Sequence, residues 1–236
     1  MFPDLTADDI FRIETKRLWL RWPRASDTPA ITSFVSLAQI ARMTASIPHP
    51  YPPGEAERFI MKARTGNASG TALVLAITQK GGLRQTIGLL SATLAAGRDI
   101  EFGYVLAPPV WGKGFASEAV KAFADTVFSL TRANRILANS RVNNIASRRV
   151  LEKTGFAFVD TGLDFLPARG GLYPCDRFQL DRKTWAASRR AGGEIRHMPP
   201  MAQQAYDASE AKVLPRQPSK SRIDDRRPGF SLLAWY

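Results

Sequence analysis

The sequence predicts an α+β fold, a mostly antiparallel sheet flanked by helices, on the strength of three observations. Apolar runs at residues 71–78, 86–94 and 100–106 are joined by short connections and read as an antiparallel meander. Over residues 115–130 the apolar period then lengthens to that of a helix. Beyond it, strand-like and helix-like stretches alternate to about residue 180. Of the 236 residues, 44% are hydrophobic, enough for one domain with a sizeable core and no need of disulfide staples.

Residues 1–12 read as a lead-in. Arg17-Leu18-Trp19-Leu20-Arg21 alternates with period two and is a first strand, which Pro23 ends. Ser26-Asp27 caps a helix running through Leu37, with Pro29 tolerated in its first turn. Pro48-His49-Pro50-Tyr51-Pro52-Pro53-Gly54 is a loop. Residues 55–64 return to helical spacing, with Ala56, Phe59, Ile60 and Ala63 on one face. Lys80-Gly81-Gly82 and Ala95-Ala96-Gly97 supply the turns of the meander. The long helix shows a stripe of Ala116, Ala119, Val120, Phe123, Val127 and Leu130. Residues 135–140 are strand-like, and residues 146–153 form a helix that Thr154-Gly155 terminates. Residues 156–160 and 177–180 bring the count to about seven strands. Composition shifts near Ala187, so residues 187–236 are expected to be a basic, disordered tail, although residues 230–236 are largely apolar.

Charge and cysteine content narrow the function classes. There are 33 basic and 21 acidic residues, a net charge of +12, and residues 184–236 hold nine basic and five acidic ones. The body therefore keeps +8, a surface suited to nucleic acid, ribosome, anionic membrane or a phosphorylated cofactor. Cys175 is the one cysteine, which excludes an intrachain disulfide. Asp4, Asp8 and Asp9 stand where an export signal is greasy, and no run approaches ~18 apolar residues. A cytoplasmic protein that does not enter the membrane is expected. His49 and His197 are far apart in sequence, so no metal site is expected.

The most informative segment runs from Glu101 through Trp111, Gly112, Lys113, Gly114, Phe115, Ala116 and Ser117 to Ala119. It is strand, glycine loop and helix start in succession. A helix start carries amides without internal partners at the positive end of the dipole, and glycines let an anion approach them. Three phosphate ligands compete. A nucleotide P-loop needs Ser or Thr after Gly-Lys, but here Gly114 and Phe115 follow Lys113. A dinucleotide site needs a third glycine, where Ser117 stands, and an acid ~20 residues on, where residues 134–140 have none. The diphosphate of coenzyme A is the third.

Gly112-Lys113-Gly114-Phe115-Ala116, Asn144-Ile145-Ala146-Ser147 and Val150-Leu151-Glu152-Lys153-Thr154-Gly155-Phe156 together resemble the GNAT N-acetyltransferase superfamily. Within it, Trp111 ahead of the loop and the opening Glu14-Thr15-Lys16-Arg17-Leu18-Trp19-Leu20-Arg21 are similar to the branch containing the ribosomal-protein-alanine acetyltransferases. The resemblance covers residues 13–182. It implies a mixed sheet splayed between the strand ending at Leu106 and the one starting near Arg135. Acetyl-CoA is the implied cosubstrate, its pantetheine arm bonding to Tyr104, Val105 and Leu106 and to Asn144, its diphosphate lying on amides from Gly112 through Ser117. The basic set Arg132, Arg135, Arg141, Arg148, Arg149 and Lys153 suits its 3′-phosphate.

The implied reaction is acetyl transfer by direct attack of a primary amine, either a protein N-terminus or a small molecule. Glu101, bordering the split, is the carboxylate best placed as general base, with Asp99 in reserve. Many relatives carry a tyrosine general acid seven residues after the motif asparagine. Leu151 stands there and cannot donate a proton, so the resemblance points to Ser147, unless Ser147 merely caps its helix. Glu118, in the first turn of the long helix, reads as structural. Residues 22–64 and a loop at 163–176 are expected to build the acceptor side. The alternative reading is a basic nucleic-acid- or ribosome-binding module with this fold and no catalysis.

Overall fold

In the computed structural model, which describes residues 11–81 and 85–190, the meander forms the middle of an eight-stranded sheet. Its strands are β1 (Arg12–Glu14), β2 (Leu18–Arg21), β3 (Ala72–Gln79), β4 (Thr86–Leu94), β5 (Ile100–Leu106), β6 (Arg135–Arg141), β7 (Ala157–Leu166) and β8 (Gly171–Asp181). The helices are α1 (Thr28–Val35), α2 (Ala38–Ala41), α3 (Glu55–Ala68), α4 (Phe115–Leu130), α5 (Ile145–Lys153) and α6 (Arg182–Arg190). Strand order is β1-β2-β3-β4-β5-β6-β8-β7. Neighbours are antiparallel except β5 and β6, which are parallel and joined through α4. That parallel ladder holds only Ile100–Ile136, Glu101–Leu137 and Phe102–Ala138. Past Phe102 the two strands part, which is the splay the family resemblance implies.

Helices cover both faces of the sheet, so β3 is buried from Ala72 to Thr78 and reads as one apolar run. On one face Leu73, Leu75, Leu90 and Phe102 pack against Val120, Phe123 and Val127 of α4 and Leu151 of α5. On the other Val74, Ala76, Leu89 and Val105 pack against Ile31 and Phe34 of α1 and Phe59 and Ile60 of α3. Among the described residues, no helix is long and apolar enough to cross a membrane.

Several expectations need correcting. The sheet has eight strands rather than seven because β1 pairs with β2, and three residues are too few to show a period. The helix expected to run through Leu37 ends at Val35, and a second short helix, α2, starts after Leu37, which is extended (φ −73°, ψ 128°). Asp27 does not cap α1. Its carboxylate instead accepts bonds from Arg21, the Arg24 amide and Thr86. The loop expected at 163–176 is mostly the β7–β8 hairpin, closed by a turn at Pro167–Arg169. Pro174 is tolerated inside β8 near its outer end, where its carbonyl accepts from the Val142 amide at 3.3 Å.

α6 carries helix to Arg190, past the compositional shift at Ala187. Trp185 rests on Phe128, ring centroids 5.1 Å apart, and its indole N–H donates to Asp125 at 2.6 Å. Arg182 donates to the carbonyls of Phe128, Thr131 and Ala133, closing the end of α4. Residues 1–10, the Gly82 half of the first meander turn, and residues 191–236 with His197 and the apolar stretch 230–236 lie outside the described residues.

Candidate active site

The chain leaves β5 at Leu106, makes one turn at Pro108–Val110 and enters α4 at Phe115. Gly112 (φ 72°) and Gly114 (φ 76°) both adopt the left-handed backbone that glycine accepts without strain. Gly114 is the N-cap of α4 and has no side chain to close it. The amides of Phe115, Ala116 and Ser117 therefore lack both an intrahelical acceptor and a cap. A Cβ added at Gly112 would meet nothing within 4 Å, and one at Gly114 would meet Arg17 Nη2 at 3.4 Å.

Residues distant in sequence hold the loop in shape. Arg17 donates to the Lys113 carbonyl at 2.9 Å and to Glu118 Oε2 at 2.6 Å, and its guanidinium lies 4.4 Å from the Phe115 ring centre. Glu118 Oε1 accepts from the Arg17 amide at 2.8 Å and from Thr15 Oγ1 at 2.6 Å. Burial raises the Glu118 carboxyl, but these donors outweigh it and hold the group below the ordinary carboxylate range. Glu118 is thus a tie between the β1–β2 connection and α4. Trp111 donates its indole N–H to the Leu106 carbonyl at 2.7 Å, folding the loop back onto the end of β5.

Pairing parity decides which edges of β5 face the split. The Ala107 amide bonds to the Ile87 carbonyl at 2.8 Å, and Leu106 lies opposite Gly88. Hydrogen-bonded pairs alternate along an antiparallel ladder, so Val105 turns its amide and carbonyl to β4 while Tyr104 and Leu106 turn theirs away. The Val105 side chain is buried among α1 and α3. Of the three residues expected to edge the split, Val105 is therefore committed elsewhere.

Side-chain alternation separates the two expected catalytic groups. Glu101 lies on the three-pair ladder, opposite Thr93 and Leu137, at the closed end of the split. It shares a face with Val105, on the α1 and α3 side. Tyr104 faces the other way, and its hydroxyl donates to Ser147 Oγ at 3.1 Å. Burial pushes that phenol up to about 12, against a smaller opposing effect of the Ser147 bond. Glu101 and Ser147 thus stand on opposite faces of the sheet.

The cap of α5 is Asn144, whose Oδ1 accepts from the Ser147 amide at 3.2 Å. Capping does not occupy the Ser147 hydroxyl. Leu151 is buried in the core, one more reason it offers no proton. Asp99 is no reserve base: it is 6% exposed and its carboxylate is gripped by Arg135 at 2.6 and 3.1 Å. The basic set divides. Arg135 serves Asp99, Arg148 serves Glu152 and Asp176, and Arg141 donates to the Arg42 carbonyl. Arg132, Arg149 and Lys153 are exposed, the last two one turn apart on α5.

The β7–β8 hairpin, expected to help build the acceptor side, holds a network that sequence reading missed. Asp164 accepts from Arg177 at 2.5 Å and from Asn139 Nδ2 at 2.9 Å, and Arg177 also reaches Asp160 at 3.4 Å. The β7–β8 turn is stitched to the chain just before the proline loop, with Ala168 N–H on the Ala45 carbonyl at 2.9 Å and Arg169 on that of Ile47. Cys175 is buried in β8, and burial pushes its thiol up to about 11.

Residues 17–157 match the family model described as acetyltransferase (GNAT) domain. The uncharacterized N-acetyltransferase p20 of Bacillus licheniformis is 30% identical over 165 residues, covering 70% of this chain and 84% of that protein. Among solved structures, the ribosomal-protein-S5-alanine acetyltransferase of Vibrio fischeri superposes with a TM-score of 0.64 at 20% identity, over 74% of this chain and 98% of that one. A RimL ribosomal L7/L12 alpha-N-protein acetyltransferase in complex with coenzyme A gives 0.64 at 18% identity, over 72% and 98%. The microcin C7 self-immunity acetyltransferase MccE, in complex with acetyl-CoA and AMP, gives 0.62 at 17%, over 71% and 93%. At such identities the structural likeness is one of fold.

Proposed function

The chain belongs to the GNAT acetyltransferase family and is an acyltransferase, and from that premise we propose that it transfers an acetyl group from acetyl-CoA to a primary amine by direct attack in a ternary complex. The observation that carries this reading is the row of uncapped amides at residues 115–117, beside a strand edge whose Tyr104 groups and Leu106 amide are turned away from β4, the Leu106 carbonyl being held by Trp111. The fit is steric as well as electrostatic: left-handed glycines at 112 and 114 put no side chain of their own beside these amides. Arg149 and Lys153 supply exposed positive charge for a phosphate. When bound, acetyl-CoA supplies the activated acyl thioester.

The chain's own residues then have three tasks. Amides 112–117 hold the diphosphate, Asn144 and the β5 edge hold the pantetheine arm, and Ser147 directs a hydrogen bond at the leaving sulfur. Glu101 takes the amine proton, directly or through water. An α-amine near pKa 8 needs only about 1–1.5 kcal/mol to deprotonate at pH 7, and a lysine-like amine about 4–5 kcal/mol. One half-buried carboxylate therefore suits an α-amine better, and a protein N-terminus is the favoured acceptor class. The alpha-N-protein activity in the name of one structural relative supports this.

A thiol-release screen with peptide N-termini, polyamines and aminoglycosides tests the reading. Turnover is expected on peptide α-amines, and no turnover on any amine would sink it. In Ser147→Ala, kcat is expected to fall roughly 10–100-fold while calorimetric acetyl-CoA affinity stays within about twofold. Equal rates would remove Ser147 from the chemistry. Glu101→Gln is expected to lose roughly 30-fold at pH 7 and only a few-fold at pH 9, because rising pH supplies neutral amine without help. A deficit that does not change with pH would show that Glu101 handles no proton.

A further inference from the structure

We propose that Tyr104 is a positioning residue for the leaving group: its hydroxyl, held by β5, donates to Ser147 Oγ and thereby turns the Ser147 proton into the split. The inference deepens the reading above and rests on it. With Leu151 apolar and buried, Ser147 is the hydroxyl that α5 offers to the split. The geometry gives Ser147 a partner from the opposite strand, at 3.1 Å. A serine hydroxyl has one proton and two lone pairs. Once a lone pair is occupied by the Tyr104 O–H, the serine proton must point elsewhere. The Ser147 amide is already engaged by Asn144, which fixes the first turn of α5 and with it the serine Cβ.

The tyrosine itself is rigidly seated. Its ring stacks on Phe102 with centroids 5.9 Å apart, and Phe102 packs in turn on Phe123 and Phe156 at 5.5 and 6.0 Å. β5 is the strand whose edge borders the split, so the phenol oxygen is placed by the same backbone that would meet the pantetheine arm. Hydrogen bonds in a chain polarise one another, and a serine that accepts from tyrosine is a stronger donor to sulfur.

Tyr104 does not supply the proton. Its hydroxyl at about 12 lies about three and a half pK units above a thiol near 8.5, so full transfer to a thiolate runs uphill. The balance is different. The amine nitrogen forms the new C–N bond, the C–S bond breaks and its electron pair goes to sulfur. The amine proton leaves toward Glu101. The thiolate, stabilised by the Ser147 O–H, takes a proton from solvent on release.

The test uses the full chain and the Tyr104→Phe variant, which removes one oxygen and keeps the ring packing. Expected is a roughly 3–10-fold fall in kcat with KM for acetyl-CoA unchanged within about twofold. Tyr104→Phe combined with Ser147→Ala is expected to be no slower than Ser147→Ala alone, since the tyrosine acts only through the serine. A second readout needs no acceptor: coenzyme A bound to the protein is titrated by its thiolate absorbance. Its thiol pKa should rise in Tyr104→Phe and in Ser147→Ala alike, roughly 0.5–1 unit above wild type. The buried Cys175 thiol, pushed up to about 11, stays out of that window. An unchanged kcat, multiplicative losses in the double variant, or a change in KM as large as that in kcat would each overturn the proposal. A wild-type chain that binds no coenzyme A and releases no thiol overturns the proposed function and this inference with it, a result told apart because the variants are then not needed.

Discussion

Gly114→Asp is expected to abolish measurable acetyl-CoA binding while the protein still folds. Two effects act together. At φ 76° a residue with a Cβ is strained by about 1–2 kcal/mol. The larger effect is electrostatic, because the new carboxylate stands at the N-cap of α4, in front of the amides proposed to receive a diphosphate. At about 5 Å and an effective dielectric near 20, each like-charge pair is repelled by about 3 kcal/mol. An aspartate is also a good N-cap, so it bonds the amides it blocks. Its Cβ would lie 3.4 Å from Arg17 Nη2, near enough to draw that guanidinium off the Lys113 carbonyl. Together these predict an affinity loss of roughly 100-fold or more, read by calorimetry, with a melting temperature lowered only by the strain. Gly114→Ala separates the two effects, since it carries the strain without the charge and should lose far less. Affinity unchanged in Gly114→Asp would mean that the diphosphate is not held at this helix start.

How much of this was legible in the sequence depended on how long each pattern ran. β4, β5 and α4 begin and end where the pattern places them, because the two strands are long apolar runs and α4 carries one continuous buried stripe. β1 was not legible, since its three residues are stabilised by β2 rather than by a pattern of their own. The glycine loop was readable from residue types alone, but Arg17, Thr15 and Glu118, which hold its shape, meet only through the fold. Asp99 looked free because nothing in a sequence shows that Arg135 lies across the parallel ladder from it. The opposite facing of Glu101 and Tyr104 follows from strand parity, which the sequence carries. The Tyr104–Ser147 bond does not, because it spans 43 residues and depends on where α5 starts. The Asp160, Asp164 and Arg177 network of the β7–β8 hairpin was hidden for a plainer reason. Pro167, Gly170, Gly171 and Pro174 made its hairpin read as a loop.

Asp27→Ala is expected to cause the largest loss of stability among single changes outside the split. Asp27 is 5% exposed and accepts bonds from both Arg21 terminal nitrogens, the Arg24 amide and Thr86 Oγ1, all within 2.8 Å. It joins β2, the chain entering α1 and the start of β4, and so ties the entry to α1 to the sheet. Removing it leaves the Arg21 guanidinium, itself largely buried, without a counter-charge. Breaking a pair of this kind costs about 3–5 kcal/mol, which lowers the melting temperature by roughly 6–20 °C for a domain of this size. Burial raises the Asp27 carboxyl, but its four donors outweigh it and the net shift is downward. The sign follows: a carboxyl lowered in the folded state stabilises above its unfolded value near 4, and that contribution disappears as pH falls through the folded value. Thermal melts of wild type and Asp27→Ala should therefore lie far apart at pH 7 and draw together below about pH 4. Asp27→Asn, which keeps acceptor oxygen but no charge, should fall between them. Coincident melts at pH 7, or a gap that stays constant into acid, would show that the Arg21 pair contributes nothing to the fold.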